Sequence, residues 1–311
     1  MSLTPEQLAQ RALGVSASEV AAVCGLSPYE GPWGVWAKKK GHMIVEMSDA
    51  MLLGHLMEEP IAQMYARKNP GVTMRLSDTL THPTERWAMA TPDRIVTAPD
   101  GTEYLLECKT GGPQAAKDWG DADDEIPPQY FVQVQWQLYV TGLTRCDVAG
   151  YIAGAMRYHE IPRHDAIIAS LVTRCREFYD RYIAGDEEPA IDFRESTTDA
   201  LSAMYPSART PLRDATEEET ALVTEYLAAH HRLSLAEQEK DRLANAIRSA
   251  IGDAEGFRAS GVKATWKTPE AGQVKWKAVA EAMKADAALI AAHTTPYGRR
   301  LDVRAVKEKK R

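Results

Sequence analysis

The feature that most constrains this chain is a block of short alternating runs between residues 71 and 110. The runs are "GVTMRLSDTLTHP" (71–83), "WAMATPDRIVTA" (87–98) and "EYLLECKT" (103–110). Each sets β-branched or apolar residues beside polar ones, the period of a strand with one buried face. Pro99-Asp100-Gly101 supplies a turn between the last two. A sheet built this way must have its apolar faces covered. The flanking segments provide the covers. "SDAMLLGHLMEEPIAQMYARKN" (48–69) predicts a helix capped by Ser48, with a stripe of Met51, Leu52, Leu56, Ile61, Met64 and Tyr65 and a kink at Pro60. "PQYFVQVQWQLYVTG" (128–142) predicts a second helix. Two further strands follow, "RCDVAGYIAG" and "MRYHEIPR", and then a helix over 164–185. This order predicts an α/β (α+β) fold, a mixed β-sheet flanked by helices, rather than a doubly wound parallel sheet.

The N-terminal stretch, residues 4–26, reads as helix, break, helix. Ser16 or Ser18 can cap the second helix, and Gly25 stops it. A short helix then carries Trp33 and Trp36. Two readings stand for that pair, a base-stacking wedge beside lysines or core packing. Composition changes near residue 195, which divides the chain into a domain over 1–195 and a helical accessory region over 196–311. In the latter, residues 214–251 read as one long helix or a helical hairpin, "GFRASGVKATWKT" as a β-hairpin, and "VKWKAVAEAMKADAALIAAHT" as another helix. Lys263, Lys267, Lys275 and Lys277 interleave with Trp266 and Trp276 there, a pattern open to DNA contact or to a solvated face around packed tryptophans.

Cys24, Cys108, Cys146 and Cys175 lie far apart, so the sequence carries neither a zinc-ligand spacing nor a disulfide framework, and a reducing, cytoplasmic setting is expected. No secretory leader and no membrane span is expected. The net charge of −7 argues against a bulk electrostatic DNA binder, yet a local basic groove is compatible with it.

Chemistry concentrates in "TPDRIVTAPDGTEYLLECKT" (91–110). Residues two apart on a strand share a face, so Glu107 and Lys109 point together and Cys108 points away. Asp93 can return beside them through the hairpin. Two carboxylates and a lysine at one point suit metal-dependent phosphodiester hydrolysis, in which a divalent ion polarises the phosphate and acidifies a water. Taken alone, Glu-x-Lys is usually an ordinary ion pair.

Four ordered segments extend the pattern: "RALGVSASEVAAVCGLSPY", "GHLMEEPIAQMY", the Asp93…Glu107-Cys-Lys109 core, and "YFVQVQWQLYVTG". Together they resemble the YqaJ-like viral recombinase family of the PD-(D/E)xK nuclease superfamily, which includes the phage lambda exonuclease. The resemblance implies a restriction-endonuclease-like core and a Mg²⁺-dependent exonuclease, with Mn²⁺ able to substitute. It implies digestion of linear duplex DNA ends in the 5′-to-3′ direction, leaving 3′ single strands for recombination. Asp93 and Glu107 would be metal ligands, with the Cys108 backbone carbonyl, and Lys109 the catalytic lysine. Glu58 would add a carboxylate from the helix, with Glu59 its rival. Gln133 would stand at the rim, in preference to Gln135. Arg11 and Ser18 would contact a DNA phosphate, although one extra residue separates Arg11 from Gly14 compared with relatives of the family. The same resemblance implies a ring-like homotrimer and a single-strand annealing protein as partner.

Overall fold

The structure, a computed structural model, describes residues 13–43, 47–122, 125–208, 210–259 and 262–267, together with Met283 and Asp286. Arg11, Trp276, Lys275, Lys277 and the helix expected from residue 274 lie outside the described residues. The chain divides into two compact units, Met1–Pro206 and Ser207–Arg311.

The first unit is built on a five-stranded mixed sheet. Its strands are β2 (Thr73–Leu76), β5 (Arg94–Thr97), β6 (Glu103–Gly111), β7 (Arg145–Ile152) and β8 (Ala155–Pro162), adjacent in that order. Only β6 and β7 run parallel; the other pairs are antiparallel. A parallel pair needs a crossover. Helix α4 (Pro128–Thr141) supplies it, ending at Gly142 in the left-handed region. A second, small sheet joins β1 (Val15–Ser16), β4 (Ala88–Ala90) and β3 (Leu80–Thr81).

Alternation along β6 sorts the core. Leu105 packs with Val134 and Leu138 of α4, while Tyr104, Leu106 and Cys108 pack with Ile61, Ala62 and Tyr65 of α3 (Asp49–Lys68). The sheet is therefore covered by a helix on each face, as the element order predicted. A third cluster gathers α1 (Ala17–Val23), α2 (Pro32–Lys39) and α5 (Asp165–Phe178) around Trp33, Trp36, Trp87 and Trp136. Trp33 and Trp36 are buried with ring centroids 5.3 Å apart, which leaves no face for stacking on a base. Ser16 caps α1, and its N–H donates to Glu19 Oε2 at 2.9 Å.

Three local expectations are corrected. "WAMATPDRIVTA" is not one strand: Ala88–Ala90 belongs to the small sheet and Arg94–Thr97 to the large one. Pro92 lacks an N–H for a ladder, and the chain changes sheets there. "GVTMRLSDTLTHP" divides the same way, into β2 and β3. The apolar stripe of α3 is buried only in its second half. Met51, Leu52, Leu56 and Met64 are exposed, because the sheet lies under Ile61, Ala62 and Tyr65. The helix continues through Pro60, and Ser48 Oγ accepts the Met51 N–H at 3.3 Å.

In the chain's last part of the first unit, α6 (Glu195–Met204) buries Thr197 and Ala200. The second unit holds a single helix over the long charged segment, α7 (Glu217–Ile251), and an antiparallel hairpin of β9 (Gly256–Ala259) and β10 (Val262–Thr265).

Candidate active site

The hairpin between β5 and β6 builds the site. Ala98 N–H donates to Thr102 O and Gly101 N–H to Ala98 O, both at 2.9 Å, with Gly101 at φ +87°. A side chain at that φ would be strained, so glycine suits the turn. The register that follows pairs Arg94 with Leu106. One step further, Asp93 stands opposite Glu107. Its Oδ2 accepts the Cys108 N–H at 2.7 Å. In a strand the N–H and C=O of one residue face the same edge, so the Cys108 carbonyl faces the edge where Asp93 lies.

Glu107 is nearly inaccessible, with 3% exposure, and both of its oxygens are engaged. Oε1 accepts Lys109 Nζ and Gln133 Nε2, each at 2.6 Å; Oε2 accepts Gln137 Nε2 at 2.7 Å. Lys109 Nζ also donates to Gln133 Oε1 at 3.1 Å and lies 4.8 Å from the centroid of the Tyr130 ring. Asp93, Glu107, Lys109 and Gln133 thus come together as the sequence suggested. Gln135 does point elsewhere: it donates to Pro162 O and accepts the His164 N–H.

Gln137 and Tyr130 were not foreseen. The signal for Gln137 was available, since it lies four residues after Gln133 and therefore on the same helical face. Tyr130 had none beyond its place at the start of α4, because the aromatic-to-ammonium contact needs Lys109 to be delivered from β6.

The two glutamates of α3 are separated by their partners. Glu59 Oε2 accepts Arg94 Nη2 at 2.6 Å and Gln63 binds its other oxygen. Glu58 Oε1 is 2.9 Å from His55 Nδ1, and its charge is felt at Asp93 and at Cys108. Glu58 is also the more buried of the two, its side chain 20% exposed against 63% for Glu59. The base of α3 is fastened by Tyr65, whose hydroxyl donates to Asp147 on β7 and lies 2.9 Å from the Tyr104 hydroxyl. Ser18 is exposed in the first turn of α1, its Oγ 3.4 Å from that of Ser16.

Electrostatics follow from this geometry. Burial, and then the neighbouring Glu107 charge, push the Asp93 carboxyl well above its ordinary range, against the pull of Lys109. Burial works against the Lys109 ammonium, but Glu107 and Asp93 outweigh it and hold the group above the usual lysine value. Burial, then Asp93, raise the Cys108 thiol, which argues against a nucleophilic role for it. The converging acceptors are hard oxygens, the kind that Mg²⁺ and Mn²⁺ take. Among the described residues no group of three or more His, Cys, Asp and Glu already stands at metal-holding spacing. Lys109, Gln133 and Gln137 hold the Glu107 oxygens that an ion would need.

Residues 6–144 match the family model of the YqaJ-like viral recombinase domain. This part of the chain is similar to that family. The match takes in α1 to α4 and the whole of the Asp93–Glu107–Lys109 cluster. Over a longer stretch the chain is similar to the uncharacterized protein YqaJ of Bacillus subtilis (strain 168), at 28% identity over 268 residues, 84% of this chain and 82% of that protein. Among solved structures it is similar to the alkaline exonuclease LHK-Exo of Laribacter hongkongensis, at 24% identity and a TM-score of 0.48, covering 58% of this chain and 93% of that one. A phage related exonuclease from Haemophilus somnus 129PT is similar at 13% identity and a TM-score of 0.41, over 55% and 96% of the two chains.

Proposed function

We propose that this chain is a divalent-metal-dependent exonuclease acting on the ends of linear duplex DNA. The observation that carries the reading is the convergence of Asp93, Glu107 and Lys109 at the open end of the β5–β6 hairpin, inside a YqaJ-like domain. Asp93, Glu107 and the Cys108 carbonyl, with Glu58 from α3, would hold Mg²⁺, for which Mn²⁺ would substitute. Such an ion supplies Lewis acidity toward the phosphate and a nucleophilic water at neutral pH. The chain's own residues do the rest. Lys109 is held as a cation, so it acts as a fixed positive charge toward the phosphate oxygens as negative charge develops there. Gln133 and Gln137 fix the Glu107 carboxylate, and with it the lysine.

Polarity, product and partners extend the same reading. Digestion runs 5′ to 3′ and leaves 3′ single strands for recombination, beside a single-strand annealing protein. Ser18, with Arg11, contacts the terminal phosphate, and the nuclease units assemble as a closed ring, a trimer by family resemblance. No helix among the described residues is long and apolar enough to cross a membrane, and the reading is of an enzyme working in the cytoplasm.

The test is digestion of a linear duplex with either a 5′-phosphate or a 5′-hydroxyl, in Mg²⁺ or EDTA, beside Lys109→Ala. The expected result is Mg²⁺-dependent loss from 5′-phosphorylated ends, abolished by the substitution. Cleavage of closed circular DNA would replace the exonuclease with an endonuclease. No cleavage under any divalent ion would end the enzymatic reading.

A further inference from the structure

Helix α7 spans 35 residues, about 52 Å at 1.5 Å per residue. Ile251 is its one buried residue among those described. A helix of this length in water is normally kept by an apolar face that packs. Leu222, Tyr226, Leu233, Leu243 and Ile247 are instead 43–68% exposed. Ala229, Ala236 and Lys240 fall between them, also exposed, so that from Leu222 to Ile247 the steps are strictly four, three, four, three. That is the 3.5-residue repeat of a coiled-coil seam, with one lysine in it.

We propose that α7 pairs with α7 of a second copy of this chain, antiparallel, with Leu222 opposite the partner's Ile247. Charge chooses the partner and the direction. A parallel, in-register pair would set Lys240 against the partner's Lys240 in the middle of the seam. The antiparallel register sets it against the partner's Ala229, whose small side chain lets the lysine stem lie flat and its ammonium reach water. The same register sets Tyr226 on the partner's Leu243 and Leu233 on the partner's Ala236. Beside the seam it brings Arg232 to the partner's Glu239 and His230 to the partner's Glu237, each twice by symmetry, and opposes no like charges. Glu239 also binds Arg242 of its own helix at 2.7 Å, an exposed pair of the kind that exchanges at little cost. A self-complementary surface of this sort is what a two-fold interface requires.

The experiment uses the full-length chain carrying Cys24→Ser, since the remaining cysteines are buried. Chains with Tyr226→Cys are mixed with chains with Leu243→Cys and oxidised mildly. The proposal expects a covalent dimer from the mixture, at least tenfold more than from either variant alone. Arg232→Glu is expected to weaken self-association at least tenfold by sedimentation equilibrium, and Arg232→Glu with Glu239→Arg to restore it. That rescue separates lost pairing from lost folding, and it also separates α7 pairing from any association of the nuclease unit. Self-linking of Tyr226→Cys would overturn the antiparallel direction. Absence of linking in the mixture, or failure of the rescue, would overturn the pairing and leave the seam to another segment of the same chain.

Discussion

Lys109–Glu107 and Arg213–Glu219 are ion pairs of nearly equal length, 2.6 and 2.5 Å, in two different units of the chain. Their surroundings differ. The Glu107 side chain is 4% exposed and is gripped by two glutamines as well; that of Glu219 is 43% exposed and serves as the N3 residue of a capping box with Thr216. In the buried case every polar atom needs its partner, because no water replaces a lost one. In the exposed case water substitutes for either member. Contact distance therefore says little about how much depends on a pair; the solvent around it decides.

The contrast can be broken at several points, the largest effect first. On the proposed nuclease reading, Glu107→Gln should reduce DNA hydrolysis at least about 1,000-fold, since it would remove charge from the proposed metal site. Single-turnover cleavage checks this, and a loss under tenfold would take Glu107 out of the chemistry. Lys109→Met should cost about 100-fold or more in rate. It should also destabilise the fold by about 3 kcal/mol, because the buried Glu107 Oε1 loses its ammonium partner. Urea denaturation measures the second effect, and an unchanged midpoint would show that the pair is better solvated than its burial implies.

Gln137→Leu sharpens the comparison within one helix. It should cost about 1–3 kcal/mol of stability by leaving Glu107 Oε2 unsatisfied, and should slow cleavage about tenfold. Gln135→Leu should cost similar stability, through Pro162 and His164, with the cleavage rate of the folded enzyme unchanged. Equal rate losses in the two would mean that α4 acts only as a strut. Tyr65→Phe should come next, at about 1–2 kcal/mol, because Asp147 loses the hydroxyl that fastens α3 to the sheet.

The smallest effect belongs to the exposed pair, and pH reveals its sign. Hydrogen bonds from Arg213, and then from the Thr216 backbone, lower Glu219 to about 2. A lowered acid stabilises the folded helix at pH above the ordinary glutamate value of about 4.3, and this share is lost as pH falls through about 2. A carboxyl NMR titration of Glu219 should show that midpoint, and Arg213→Ala should return it toward the ordinary value. A midpoint near 4.3 in the unsubstituted chain would mean that the pair is not formed in solution.

Much of this was legible in the sequence. Alternation along "EYLLECKT" is a local property, so Glu107 and Lys109 share a face and Cys108 takes the other whatever lies around them. The Pro-Asp-Gly turn made the return of Asp93 foreseeable, and the order of helices and strands led to the mixed sheet covered on both faces. The break at Pro92 was partly readable from the missing N–H, but not that the two halves would enter different sheets. That depended on which strands lay free to pair.

Tertiary structure alone decided the rest. Glu58 and Glu59 are neighbours with the same chemistry, and only Arg94, delivered from β5, ties up Glu59, while Glu58 pairs with His55 and is the more buried of the two. Gln133 and Gln137 share a face by helical period, yet that face becomes a clamp only because the β6–α4–β7 crossover lays it over Glu107. Met51 and Leu56 match Ile61 in hydrophobicity, and the extent of the sheet beneath α3 determines which of them are buried. Period and turn chemistry act over a few residues and can be read from the chain. Desolvation depends on which distant segments pack together and sets the grip on Glu107, while the Glu107 and Asp93 carboxylates that the same packing brings near keep the positive charge on Lys109 against it.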